Sequence, residues 1–175
     1  MSPCRDCLCW IFWGETNMRL MIVAIAALAV TACFPGERSS DASDESAAVA
    51  QAIYDAFAVG DVPAFTALLD PEIVWNEAEN YPYDGGNPYI GPDAVLAGVI
   101  GPVVNGWDGF AATPESMIAQ GNRVAVMGRY TGTFNATGTA MDAQFVHVWT
   151  IENGRAIAFQ QYADTWQARN VMGLD

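Results

Sequence analysis

The sequence predicts an α+β fold in which an antiparallel sheet wraps around helices. Two observations carry this expectation. Helical apolar periodicity is confined to the first half of the domain, up to about Val104. Long β-branched and aromatic runs follow it, separated by Gly- and Asn-containing turn signals, which is the order of a meander.

The elements follow in turn. Ala48, Ile53, Ala56 and Phe57, with neighbouring alanines, give a helical stripe ending at Gly60. Asp61 caps a second short helix, with Phe65, Leu68 and Leu69 as its apolar face and a stop before Pro71. Ile73 to Trp75 is a strand. Asn80 to Pro92 is a loop dense in Tyr, Pro and Gly, and Pro92-Asp93 opens a third helix running to about Val104. Strands are expected around Ala111 to Ala119, Arg123 to Phe134, Thr139 to Ile151 and Arg155 to Ala163. Asp164-Thr165-Trp166-Gln167 has the form of a capping box opening a closing helix, so Asp164 is a cap rather than a catalyst.

The final hairpin carries His147, the only histidine of the chain. Phe145, His147 and Trp149 alternate onto one face, which should be buried. A two-residue turn at Asn153-Gly154 sets His147 opposite Gln160, whereas a three-residue turn with Gly154 left-handed sets it opposite Phe159, beside Gln161. An imidazole between aromatics can polarise a ligand oxygen or shuttle a proton, or be a core histidine satisfied by one hydrogen bond.

The amino terminus resembles a bacterial lipoprotein signal. Met18-Arg19 is a short positive start, Leu20 to Val30 is an unbroken apolar run, and Val30-Thr31-Ala32-Cys33 follows. The run to Cys33 is short for a spanning helix, which needs about 20 residues. The resemblance implies cleavage before Cys33, lipidation of Cys33 and, with Phe34 rather than an aspartate behind it, an outer-membrane anchor facing the periplasm. Residues 1–17 are then an extension ahead of a start at Met18, residues 18–32 the signal, and 33–45 a polar spacer before a domain spanning 46–175. Cys4-x-x-Cys7-x-Cys9 lacks a second ligand cluster, so no metal site is expected. Twenty acidic residues against seven arginines and no lysine, net −13, make nucleic acid and anionic headgroups poor partners.

Tyr54-x-x-Phe57-x-x-Gly60-Asp61, Leu69 to Trp75, Gly91-Pro92-Asp93-Ala94-Val95, Phe145 to Trp149 and Gln161-Tyr162-Ala163-Asp164 together resemble the SnoaL-like, ketosteroid-isomerase-related branch of the nuclear transport factor 2 (NTF2-like) superfamily. The resemblance implies a cone of curved sheet and helices enclosing a pocket, a homodimer through the outer sheet face, and a small apolar ligand. The isomerase's general base falls on Asn76, its oxyanion-hole tyrosine on Tyr54 or the neighbouring Ile53, and its protonated aspartate on His147. An amide at Asn76 cannot take a proton as a carboxylate does, so steroid isomerisation is not expected. The same alignment turns Val126, Gly128 and Tyr130 inward and Arg129 outward, toward a carboxylate.

The candidate catalytic residues are therefore His147, Tyr54 and Glu77; Trp75, Asn76, Tyr130, Trp149 and Gln161 are the candidate ligand contacts. Glu77 and Glu79 are read either as acids tuned by Trp and Tyr neighbours or as solvated loop acids. Tyr81, Tyr83 and Tyr89 form a lid or simply pack the loop. No cofactor motif occurs. Two functions follow: an isomerase, cyclase or hydrolase working by acid–base chemistry, or a non-catalytic domain holding a metabolite or protein. A histidine bonded to a carboxylate favours the first, and a pocket sealed by packed aromatics the second.

Overall fold

Helix α1 (Glu37–Ala58) buries Ala50, Ile53, Tyr54 and Ala56, spaced three and four apart on one face. The computed structural model describes residues 37–174, and within it the segment expected to be spacer is helical from Glu37 onward. The cause is tertiary, since Ser46 is buried and the Gly121 N–H donates to Ser43 Oγ at 2.9 Å. The segment expected to be a signal, Cys33 and the Cys4, Cys7 and Cys9 run lie outside the described residues.

Gly60, at φ +69, ends the helical run, with its N–H on the Phe57 carbonyl. Asp61 then caps α2 (Val62–Ala67) by accepting from the Ala64 N–H at 3.0 Å. Leu69 does not belong to that helix as expected. It opens β1 (Leu69–Asn76), which runs through Pro71 with a register shift between Leu69 and Val74, an irregularity that suits a residue without an N–H.

Beyond β2 (Tyr89–Ile90), the third helix is α3 (Pro92–Val95), a π turn over Leu96–Ile100, and α4 (Gly101–Gly106). Pro102 lacks an N–H and its ring crowds the carbonyl four residues back, so the regular ladder widens just ahead of it. The rest is β3 (Trp107–Gln120), β4 (Arg123–Phe134), β5 (Thr139–Glu152), β6 (Arg155–Ala163) and α5 (Thr165–Met172). One curved sheet results, in the order β2-β1-β6-β5-β4-β3, antiparallel except for the parallel β1–β6 join. Register shifts in β3 at Asp108/Ala111 and Pro114/Ser116 bend it around α1.

Both registers expected for the last hairpin are wrong by one bulge. The turn is the two-residue one, with Asn153 at φ 51 and Gly154 at φ 75 between paired Glu152 and Arg155. Ile157 is then left unpaired, and every later pair moves by one, so His147 faces Gln161. The bulge lets Ala156 and Phe159, three apart, both point inward.

On β4, Val126 and Tyr130 are buried, while Arg129 faces out and its Nε meets Asp142 Oδ1 at 2.5 Å. Gly128 is required by close packing, because a Cβ there would lie 2.3 Å from the Thr113 carbonyl oxygen and 2.5 Å from the Phe145 ring. Asp164 caps α5, accepting from the Gln167 N–H at 3.0 Å. The return half of the box does not form, because Gln167 Oε1 accepts from the Asp142 N–H and ties the helix to β5.

Candidate functional site

The concave face of the sheet and α1 enclose a cavity of about 60 Å³. Its polar walls are Tyr54, Glu77, Tyr81, Tyr130, His147 and Gln161, and the rest is apolar or aromatic. The sheet supplies most of them by alternation: Trp75 and Glu77 from β1 and the residue beyond it, His147 and Trp149 from β5, Phe159 and Gln161 from β6. Tyr54 arrives from α1.

A hydrogen-bonded chain crosses the cavity wall. Trp149 Nε1–H donates to the Tyr54 hydroxyl at 3.2 Å, which lies 2.7 Å from His147 Nδ1. His147 Nε2 meets the Tyr130 hydroxyl, and Gln161 Nε2 donates to that same hydroxyl at 2.9 Å. The orientation of the Gln161 amide is set from behind, since its Oε1 accepts from the Ala78 N–H at 3.0 Å. Phe145 stacks on the imidazole at 4.0 Å. Burial lowers the His147 pKa to about 3 and pushes both tyrosines above the usual phenol range.

Counting protons in this chain gives a surplus donor. A neutral imidazole carries one N–H, so one tyrosine donates to the bare nitrogen and the other accepts from the N–H. Each hydroxyl already accepts once, from Trp149 or Gln161. Whichever tautomer holds, the accepting tyrosine keeps an O–H proton that the chain does not use. That proton is available to an acceptor placed in the cavity.

Glu77 is the second feature. It is 2% exposed, so it is no solvated loop acid, whereas Glu79 is exposed. Its Oε1 accepts from Trp75 Nε1–H at 2.6 Å, while Oε2 is buried with no hydrogen-bond partner among the described residues. Burial raises its pKa to about 7, against the lowering influence of the Trp75 indole and of the nearby Gln161 amide, whose Nε2 is directed to the Tyr130 hydroxyl. Asn87 clasps its backbone twice, Oδ1 accepting from the Glu77 N–H at 2.9 Å and Nδ2 donating to the Glu77 carbonyl at 2.8 Å. The expectation for Asn76 is corrected: it lies between inward Trp75 and Glu77 on the other face of β1 and does not line the cavity. The carboxylate missing at Asn76 stands one residue later.

Among the described residues His147 meets no carboxylate; both its nitrogens face tyrosines, and it holds Tyr54 and Tyr130 in place. Trp75, Tyr130, Trp149 and Gln161 line the cavity. Of the loop tyrosines, Tyr81 is at the cavity, while Tyr83 accepts from Trp107 Nε1–H at 2.9 Å and Tyr89 donates to the Tyr83 carbonyl at 2.6 Å. Sequence reasoning missed the Asn87 clasp, which carries no local signal. The burial of Glu77 had one: Ile73, Trp75 and Glu77 keep the two-residue period of an inward face. Among the described residues, no three of His, Cys, Asp and Glu come together as a metal site.

Comparison with known proteins places this geometry. No curated protein matches the chain. An NTF2-like protein from Burkholderia thailandensis E264 superposes with a TM-score of 0.69 at 28% identity, over 73% of this chain and 96% of that one. An NTF2-like protein of unknown function from Burkholderia pseudomallei K96243 gives 0.66 at 30% identity, over 73% and 96%. A putative SnoaL-like polyketide cyclase from Jannaschia sp. CCS1 shares the fold with a TM-score of 0.66 at 15% identity, over 76% and 94%. The SnoaL-like domain family matches residues 50–159, more than half of the sequence, and the chain therefore belongs to that family, on the NTF2-like fold.

Proposed function

We propose that this SnoaL-like protein is a proton-transfer enzyme acting on a small apolar carbonyl compound, with Glu77 as acid–base and Tyr130 as the donor to the carbonyl oxygen. The observation that carries the reading is the buried Glu77 Oε2, without a hydrogen-bond partner among the described residues, beside a cavity also lined by Tyr54 and Tyr130, one of which keeps a surplus proton. At a pKa of about 7 the carboxyl is roughly half ionised at neutral pH, where a general base works best. Glu77 removes a proton from the carbon next to the carbonyl; the resulting enolate oxygen is held by the Tyr130 O–H, and Glu77 returns the proton at the same or a conjugated carbon. His147 and Gln161 position Tyr130, and Tyr54 completes the chain behind it.

The test is deuterium uptake next to the carbonyl of small ketones and enones in D2O, followed by NMR. Wild type should exchange with a rate that rises with pH through about 7. Glu77→Gln should lose about 10²–10⁴-fold and Tyr130→Phe about 10²–10³-fold. Exchange unaltered in Glu77→Gln defeats the assignment. The small size of the cavity, the His147 ring held by tyrosines rather than a carboxylate, and the packed aromatics favour a second reading, a non-catalytic binding domain, which predicts ligand-induced shifts with no exchange above buffer.

The lipid anchor at Cys33 and the outer-membrane, periplasm-facing location belong to the same proposal, supported by the Leu20 to Cys33 pattern. So does a homodimer through the outer sheet face, supported by Ile118, Tyr162 and Trp166, which are 65%, 58% and 68% exposed.

A further inference from the structure

A second hollow adjoins the first. It holds about 270 Å³ and lies where the end of α1, α2, the broken helix 92–106 and the start of β3 converge. Phe57, Phe65, Ile100, Val103 and Phe110 line both the inner cavity and this groove, so they form the partition between them. Phe57 meets Phe110 edge-on at 6.2 Å and Phe65 at 6.4 Å, which closes the partition with rings rather than backbone. Ile100 stands at the end of the π turn, a place where the helix ladder is already interrupted.

The groove's chemistry limits its occupant. Among the described residues its one ionisable wall residue is Asp61, whose Oδ1 is already used by the Ala64 N–H as the α2 cap. At the rim, Val62 and Val104 are 44% and 63% exposed, apolar surface that a chain of methylenes would cover. The inner cavity alone is far below the ~300–1,000 Å³ usual for ligand sites, and the two hollows joined reach the lower end of that range.

We infer that the ligand is an amphiphile: a compact carbonyl head sits in the inner cavity between Glu77 and Tyr130, and an apolar tail passes the Phe57, Phe110, Ile100 and Val103 partition into the groove. This rests on the carbonyl reading above for the head, but the tail is argued from the groove alone. The rings of Phe57 and Phe110 turn aside to admit the tail. Glu77 and Tyr130 set the chemistry, while Ile100, Val103 and Val104 select by chain length.

The experiment is a series of straight-chain methyl ketones from butanone upward, with the full chain in detergent micelles. Dissociation constants come from NMR shifts of the His147 ring, corrected for partition into detergent, and deuterium exchange next to the carbonyl is followed in parallel. Affinity should rise about fourfold per added methylene and then level off as the groove fills. Ile100→Trp, which blocks the partition, and Val104→Glu, at an exposed rim position, should each flatten the gain for long ketones. A chain-length gain lost in both variants but without any exchange upholds the groove and overturns the acid–base reading. Exchange of butanone with no chain-length gain, or with a gain that Val104→Glu does not reduce, overturns the groove and leaves the acid–base reading standing. Binding of no ketone of any length overturns both.

Discussion

Glu77 and His147 pull stability in opposite directions as pH changes. A carboxyl raised from 4.5 to about 7 stays protonated in the folded chain while the unfolded chain ionises, so stability falls as pH rises between those values. An imidazole lowered from 6.5 to about 3 stays neutral in the folded chain while the unfolded chain takes up a proton, so stability falls as pH drops from 6.5 toward 3. Between 4.5 and 6.5 the two slopes oppose, and these groups leave a plateau there. Ionising Glu77 costs roughly 3 kcal/mol by this linkage. In Glu77→Gln the plateau between 4.5 and 6.5 should give way to a stability that rises with pH through that range, the His147 slope alone, and the fall from 6.5 to about 7 should vanish, as read from urea midpoints; parallel profiles in wild type and variant would overturn the raised Glu77 pKa. The amide leaves a buried donor of its own, so the slope decides, not the absolute stability.

At the scale of elements, the β5–β6 hairpin shows how one residue redirects a site. Alternation along Phe145 to Trp149 was enough to put His147 on the inner face, because a strand's side-chain period is two. The partner across from it was not legible, since the bulge at Ile157 depends on Ala156 and Phe159 both finding room inside. Close packing between strands gives a sharper prediction. Gly128→Ala would press a methyl into the Thr113 carbonyl and the Phe145 ring, which stacks on His147. A loss of about 1–3 kcal/mol is expected, together with a shifted His147 ring resonance. A variant with wild-type urea midpoint and unchanged resonance would show that β3 and β5 yield freely at this point.

For the whole molecule, the inner face holds the chemistry and the outer face and amino terminus hold the proposed partners. If Cys33 carries lipid, Cys33→Ser should move the protein from the detergent-extracted membrane fraction to the soluble one; a wild-type chain already soluble would refute the anchor. If the outer face pairs, Trp166→Glu together with Tyr162→Glu should halve the mass measured by sedimentation equilibrium, and a wild type already of monomer mass would end that proposal. The sequence by itself determined the class of fold, the order of its strands in the chain and the inward face of His147, since periodicity and turn residues act over a few neighbours. It also carried the family resemblance, which put Tyr54 beside His147 and turned Tyr130 inward. Only the tertiary structure decided that the segment from Glu37 onward is helical, that Gln161 faces His147, and that Glu77 rather than Asn76 lines the cavity with one oxygen unpartnered among the described residues. Those outcomes depend on burial and on partners 31 to 93 residues away, such as Tyr130 for Gln161 and His147 for Tyr54, and no local pattern encodes which distant group will fill a remaining hydrogen bond.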